Sequence, residues 1–225
     1  MVNNKTIWSP HETDVASKEG VQAKERRNMS VQFEFDYEKT VAAALYIVSK
    51  NLPELTMAKL FKLLYLADKD HLVRYGRPIT GDSYVAMKDG PVPSNLYDLF
   101  KEMRGKPHSP AALLLAKNIR DEESIFQYPS LIAHGTIDPT QLSISDIAAL
   151  DRILFQFGQL TFLHLRSLTH ETPAWENARV DRKTESPPMK FEDFFEDDPN
   201  AIVGAKEEML ENFVLKMAFD EPTVF

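Results

Sequence analysis

From residue 37 onward, apolar positions recur at helical intervals. Val41, Ala44, Leu45 and Val48 share one face of a helix predicted over 37–50, with Asp36 as its N-cap and Pro53 as its stop. The next segment has the strongest pattern in the chain. After Thr56, an acceptable cap, Met57, Leu60, Leu64, Ala67 and His71 follow one face, Phe61, Tyr65 and Leu72 a second, and Leu63 and Leu66 a third. Apolar groups on nearly every side predict a central helix packed by several neighbours. Its lysines Lys59, Lys62 and Lys69 need not lie deep, because their stems can reach outward. Gly76 is a natural C-cap, with Pro78 just past it.

Residues 81–88 alternate briefly and suit a short strand, with Tyr84 and Ala86 on one side and Val85 and Met87 on the other. Asp89-Gly90-Pro91-Val92-Pro93 reads as a turn in which Gly90 is free to take unusual backbone angles. Leu96, Leu99, Phe100 and Met103 mark a helix that Gly105 and Pro107 end. Residues 105–142 are the least patterned stretch: 111–117 suits a short helix, and 125–128 and 131–133 suit short strands. Ile147, Leu150, Leu154 and Phe157 then define an amphipathic helix capped by Ser143 or Ser145 and broken at Gly158. A short helix over 162–169 follows. Thr172-Pro173 opens another turn before Ala174 and Trp175. Pro187-Pro188 marks a linker, and 200–219 is a last helix with Ile202, Met209, Phe213 and Met217 available to dock. Residues 1–30 read as a mobile polar arm with one short amphipathic turn near 21–27. The expected architecture is a mainly α, compact helical domain around a central buried helix, with a small β element. The chain divides into an arm (1–30), a body (31–184) and an acidic C-terminal extension with a terminal helix (185–225).

Charge is placed unevenly. Residues 185–225 carry 11 acidic side chains against 3 basic ones, which accounts for the whole net charge of −8, so residues 1–184 are electroneutral. A nucleic-acid reader needs a basic surplus to neutralise phosphate, so nucleic acid is not an expected partner. The 225 residues contain no cysteine, which removes disulfides, thiolate metal sites and cysteine nucleophiles. No long apolar run and no basic-then-apolar leader pattern occurs, so no membrane partner is expected and the cytoplasm is the expected location.

Candidate chemistry is sparse. There is no phosphate-binding glycine loop, no nucleophile elbow and no His-Glu-x-x-His pair. Gly81-Asp82-Ser83 lacks the spacing of any such motif. The best metal candidate is Asp68 with His71, three residues apart on one helical face, joined by Asp70 and by His164 or His170 from elsewhere. A hydrogen-bonded polar rim is the preferred reading, because polar groups at helix ends ordinarily find such partners. His170 and Glu171 are both titratable, but adjacent helical residues point apart. A hydrogen-bonded His170 with Trp175 anchoring the turn is therefore favoured over acid–base work. Lys88 to Pro91 reads as a connection rather than a substrate loop. No catalytic residue, metal or cofactor is assigned. The strip 192–198, with Phe191, Phe194 and Phe195 among acids, suits either a sticky surface for a basic partner or a segment whose phenylalanines fold back on the body.

The stretch 58–100 resembles the core of the Panacea domain, the SocA-like antitoxin family that includes phage-associated GepA-type proteins. The matching positions are Lys59, Leu60, Lys62, Leu63, Leu64 and Tyr65 in a Lys-Leu-x-Lys-Leu-Leu-Tyr helix; Tyr75, Gly76 and Pro78 in Tyr-Gly-Arg-Pro; and Lys88, Gly90, Pro91 and Val92 before Tyr97. A second block, Leu142-Ser143 with Ile147 and Leu150, then Thr169, His170 and Trp175, is similar to the family's later segments. The resemblance spans about 37–179. Met87 or its neighbours stand where many relatives carry a strand tryptophan, and 105–142 has no counterpart. The resemblance implies an antitoxin that neutralises a cognate protein toxin by direct contact, with a Clp-type protease as a further partner if it acts as a proteolytic adaptor. It implies that the motif positions serve structure or partner contact. Two rival readings are a metal-dependent hydrolase using Asp68, His71 and His170, and a phage or mobile-element interaction protein with no toxin.

Overall fold

The computed structural model describes residues 30–220, apart from 125–127, 137, 139, 181–183 and 197. The arm expected over 1–30 and most of the strand expected over 125–128 lie outside the described residues. Eight α-helices are seen among those described: α1 (Tyr37–Val48), α2 (Met57–Tyr75), α3 (Ser94–Arg104), α4 (Pro110–Asn118), α5 (Ile144–Phe157), α6 (Phe162–His170), α7 (Pro173–Arg179) and α8 (Ala205–Asp220). Two antiparallel hairpins join them, β1 (Tyr84–Met87) with β2 (Gly90–Pro93) and β3 (Ile119–Glu122) with β4 (Ser130–Ala133). A 3-10 turn covers Phe191–Phe195. The chain is mainly α with a small β element.

Helix starts follow their caps. Asp36 accepts from Lys39 N at 2.9 Å, Thr56 from Lys59 N at 3.3 Å, and Ser143 forms a reciprocal capping box with Asp146. Gly76 closes α2 in the left-handed region at φ +67°, which a side chain would strain. Thr172 precedes Pro173 as expected but makes no side-chain cap; its hydroxyl donates to Thr169 O instead.

α2 is the axis of the fold, with α1, α5, α6, β2, the 3-10 turn and α8 all packed on it. Leu60, Leu63, Leu64, Tyr65 and Ala67 are at or near zero exposure. The lysines depart from expectation: Lys59 and Lys62 are only 1% and 2% exposed. With neighbours on every face there is no route outward, so each ammonium is satisfied inside. Lys59 Nζ donates to Pro53 O at 2.7 Å and Lys62 Nζ to Pro91 O at 2.8 Å. Further along, Asp68 accepts from Ile79 N, Thr80 N, Thr80 Oγ1 and Tyr84 OH at 2.6–3.1 Å. His71 Nδ1 donates to Arg77 O at 2.7 Å. Four buried polar side chains of one helix thus fasten the stretch ahead of it at Pro53, strand β2 at Pro91, and the 77–80 connection that Asp68 and His71 share, supplying partners that a loop passing over a core would otherwise lack.

Gly90–Pro93 is a strand rather than a turn, and only Lys88 and Asp89 turn the hairpin. The register explains how a strand with two prolines pairs. Val85 faces Val92 and Met87 faces Gly90, so these pairs exchange N–H bonds, while Pro91 and Pro93 sit where an N–H would point away from β1. Ala86 N, aimed the other way, donates to Pro187 O, and Met189 N donates to Tyr84 O. The stretch expected as a linker therefore pairs with the outer edge of β1. β3 was not visible in the pattern; it is the partner that β4 needs.

The fold rests on this packed axis. Leu64→Asp places an unpaired charge at its centre, at a cost on the order of 5 kcal/mol. The variant should be found insoluble or without a cooperative transition by circular dichroism. Lys62 makes a pH-dependent forecast. Burial pushes its amine from 10.5 down to about 7, against Asp89, which favours the charge, and with Arg166, which opposes it. Between these values the unfolded chain binds more protons than the folded one, so stability rises with pH at about 1.4 kcal/mol per unit. Denaturant midpoints from pH 7.5 to 9.5 should climb in the wild type relative to Lys62→Met, whose profile lacks this slope.

Candidate functional site

Of the family-like positions, Lys62, Gly90, Pro91, Thr169, His170 and Trp175 meet at the β1–β2 hairpin and the segment of α2 beneath it, whereas Gly76 lies at the end of α2 against Ala205 and Met209. Gly90 has φ +102°, and a Cβ there would lie 2.7 Å from Lys62 Cε and 3.0 Å from Thr169 Oγ1. Glycine is therefore needed both for the backbone angle and for the close passage of the hairpin over the lysine. Arg166 braces the turn, with Nε donating to Asp89 Oδ1 at 2.9 Å and Nη2 to Lys88 O at 3.4 Å. Trp175 Nε1 donates to Met87 O at 3.1 Å from the opposite side.

His170 stacks on Trp175 with ring centroids 3.9 Å apart and planes 10° from parallel. Among the described residues its buried Nε2 has no hydrogen-bond partner, so the ring is held by stacking rather than by the expected hydrogen bond there. Burial, together with the cations of Arg166, Lys62 and Arg179, holds its pKa below the ordinary histidine value, which suits a neutral stacked ring. Tyr65 OH donates to Thr172 Oγ1 at 3.0 Å, and its ring packs edge-on against Tyr84 and Phe194. Phe191 and Phe194 are thus core residues, and the acidic segment that carries them folds back onto the body. Tyr75 is 44% exposed, and Lys88 also faces solvent; Tyr97 and Trp175 are partly exposed. The remaining motif positions, Gly76 and Pro78 included, are buried apart from the half-buried His170.

The candidate metal ligands are not brought together. Asp68 is enclosed by its four donors, and burial lifts its carboxyl above the usual range against those bonds. His71 lies between Arg77 O, Ser145 Oγ and Asp146 Oδ1. Asp70 is engaged by Arg74 and Arg152, and His164 Nδ1 by Thr161 Oγ1. Among the described residues no three His, Asp or Glu side chains are placed to hold a metal ion. The polar-rim reading is the one these hydrogen bonds support, and the three-residue metal set Asp68, His71 and His170 is not assembled.

Two features escaped the sequence reading. Asp82 accepts from Asn95 N and Leu96 N, both at 2.9 Å, and so caps α3 from a distance. The signal was a helix whose N-cap, Pro93, has no acceptor of its own. Burial raises the Asp82 carboxyl to about 6 despite those bonds. The second feature is a groove of about 860 Å³ beside the hairpin, walled by Met57, Phe61, Val92, Tyr97 and Phe162. Its rim mixes both signs of charge, Lys88, Arg104 and Arg179 against Glu54, Asp89 and Glu185. Arg104 is already paired with Asp121 at 2.7 Å, and Arg179 donates to Ala86 O and Glu185 O. This arrangement offers apolar contact area, and Lys62 lines it as well.

Among the described residues no helix is long and apolar enough to cross a membrane. No curated protein and no solved structure matches the chain. The sequence model of the antitoxin SocA-like Panacea domain matches residues 60–176, a little over half the chain, from the first turn of α2 through Trp175. That span contains the buried lysine, the hairpin it fastens and the stacked His170–Trp175 pair, and the chain belongs to the SocA-like Panacea-domain antitoxin family.

Proposed function

We propose that this chain is the antitoxin of a toxin–antitoxin pair, acting in the cytoplasm by binding a cognate protein toxin directly and without catalysis. The family match over residues 60–176 carries this reading. The local contacts support it: of the rival metal set, Asp68 is committed to backbone amides and hydroxyls and His71 to a carbonyl and Ser145, while His170 is stacked on Trp175. A binding protein needs a rigid body and an accessible surface, and such commitments favour rigidity over turnover. The motif positions are the frame, and the toxin contacts surfaces that this frame presents.

Co-expression with the product of the adjacent reading frame tests this. Growth should be rescued, and the two proteins should co-elute from size exclusion as a stoichiometric complex. Absence of both rescue and complex would refute the proposal and favour a mobile-element protein with another partner. Rescue that persists in a strain lacking Clp proteases supports occlusion of the toxin; rescue that needs the protease supports delivery for degradation.

A further inference from the structure

The last helix is built unlike the others. α8 meets the body where Gly76 ends α2: a Cβ on Gly76 would lie 3.1 Å from Ala205 O and 3.5 Å from Met209 N. Ala205 and Met209 are buried there, and Phe213 is half-buried one turn on. Of the four residues expected to dock, Met209 does so and Phe213 does in part, whereas Ile202 is 51% and Met217 38% exposed. Leu210 and Val214 are exposed at 37% and 55%. Leu210, Val214 and Met217 stand at i, i+4 and i+7 and so form one stripe, which adjoins the docked Met209–Phe213 side about a quarter-turn round the helix. Ile202 and Val203, also exposed, lie just ahead of the helix.

An apolar ridge left in water along a helix of about 24 Å offers packing area to another helix. Its surroundings indicate the sign of what covers it. Glu207 and Glu211 are exposed along the outer edge of the stripe, the half-buried Lys206 lies at its inner edge, Glu208 lies further round, and the surrounding segment 185–225 carries the entire −8 of a chain whose other 184 residues are neutral. Such a border repels an acidic or anionic surface and attracts a basic one. α8 also lies outside the family-matched span, so it is free to differ without disturbing the hairpin frame.

We propose that the Leu210–Val214–Met217 stripe, edged by Glu207 and Glu211, is the docking surface for a basic amphipathic helix of the toxin. This rests on the antitoxin reading and names the surface through which it acts. The ridge would supply apolar contact at i, i+4 and i+7, and the glutamates would steer a lysine- or arginine-rich helix onto it.

The test uses the full chain and the purified product of the adjacent reading frame. Leu210→Ser with Val214→Ser should weaken the complex at least tenfold in calorimetry, with only a small fall in melting temperature, since Val214 is exposed and Leu210 is more than one-third exposed. Glu207→Lys with Glu211→Lys should slow association about tenfold and flatten its dependence on salt. Leu163→Ser, at a 69% exposed position on α6, should leave affinity unaltered. Unchanged affinity in both α8 variants, while the wild type still neutralises, would overturn the docking surface and leave the antitoxin reading standing. So would a self-association of the free chain, seen by sedimentation, that the α8 serine variant abolishes without loss of toxin binding. If the wild type binds nothing and rescues nothing, both fail together.

Discussion

A helix enclosed on every side must satisfy its own polar side chains, and the structure depends on how α2 does so. Lys59 bonds the carbonyl of Pro53 ahead of the helix, Lys62 that of Pro91 in β2, and Asp68 and His71 together hold the 77–80 connection through the amides of Ile79 and Thr80 and the carbonyl of Arg77. A buried polar group left without a partner costs about 1–3 kcal/mol. Each contact therefore restrains two groups that would both be penalised by separation. The irregular segments, not the helices, gain most from this. They have no internal hydrogen-bond ladder, and without α2 they would have to face water.

The same constraint connects the core to the surface. Lys62 fixes Pro91, Pro91 fixes β2, and β2 with Asp82 starts α3, which walls one side of the apolar groove. On the other edge of β1, Pro187 and Met189 continue the pairing and bring Phe194 onto Tyr65 and Tyr84, with Phe191 packed between Phe194 and Phe33. The acidic segment is thereby anchored by its aromatics and also by some of its acids, Glu192 accepting from Val31 N at 3.0 Å. Asp198 meets Lys69 at 2.6 Å, which ties the segment back to α2 just before the last helix begins.

Much of this was legible in the residue pattern. Three apolar stripes on 57–75 require a buried axis, and Asp36, Thr56, Ser143 and Gly76 mark helix ends through local geometry alone. What escaped the pattern depends on distant partners. Lys59 and Lys62 look like surface lysines until the fold removes every outward path. Gly90–Pro93 looks like a turn because proline argues against strands, until the register shows both prolines at positions that need no donor. Asp82 lies thirteen residues from the first helix amide it caps. The groove has no periodic signature, since its walls come from α2, α3, α6 and the hairpin.

We propose that the buried hydrogen bonds made by α2 hold the frame and take no part in the encounter with the toxin. The most direct measurement is toxin affinity of Tyr84→Phe, taken below its unfolding transition, beside its urea midpoint. The substitution removes one of the four donors to Asp68, a bond of 2.7 Å, and keeps the ring that packs on Tyr65 and Phe194. The account predicts a loss of about 1–2 kcal/mol in stability with affinity unchanged. Lost affinity in a variant of undiminished stability would contradict it.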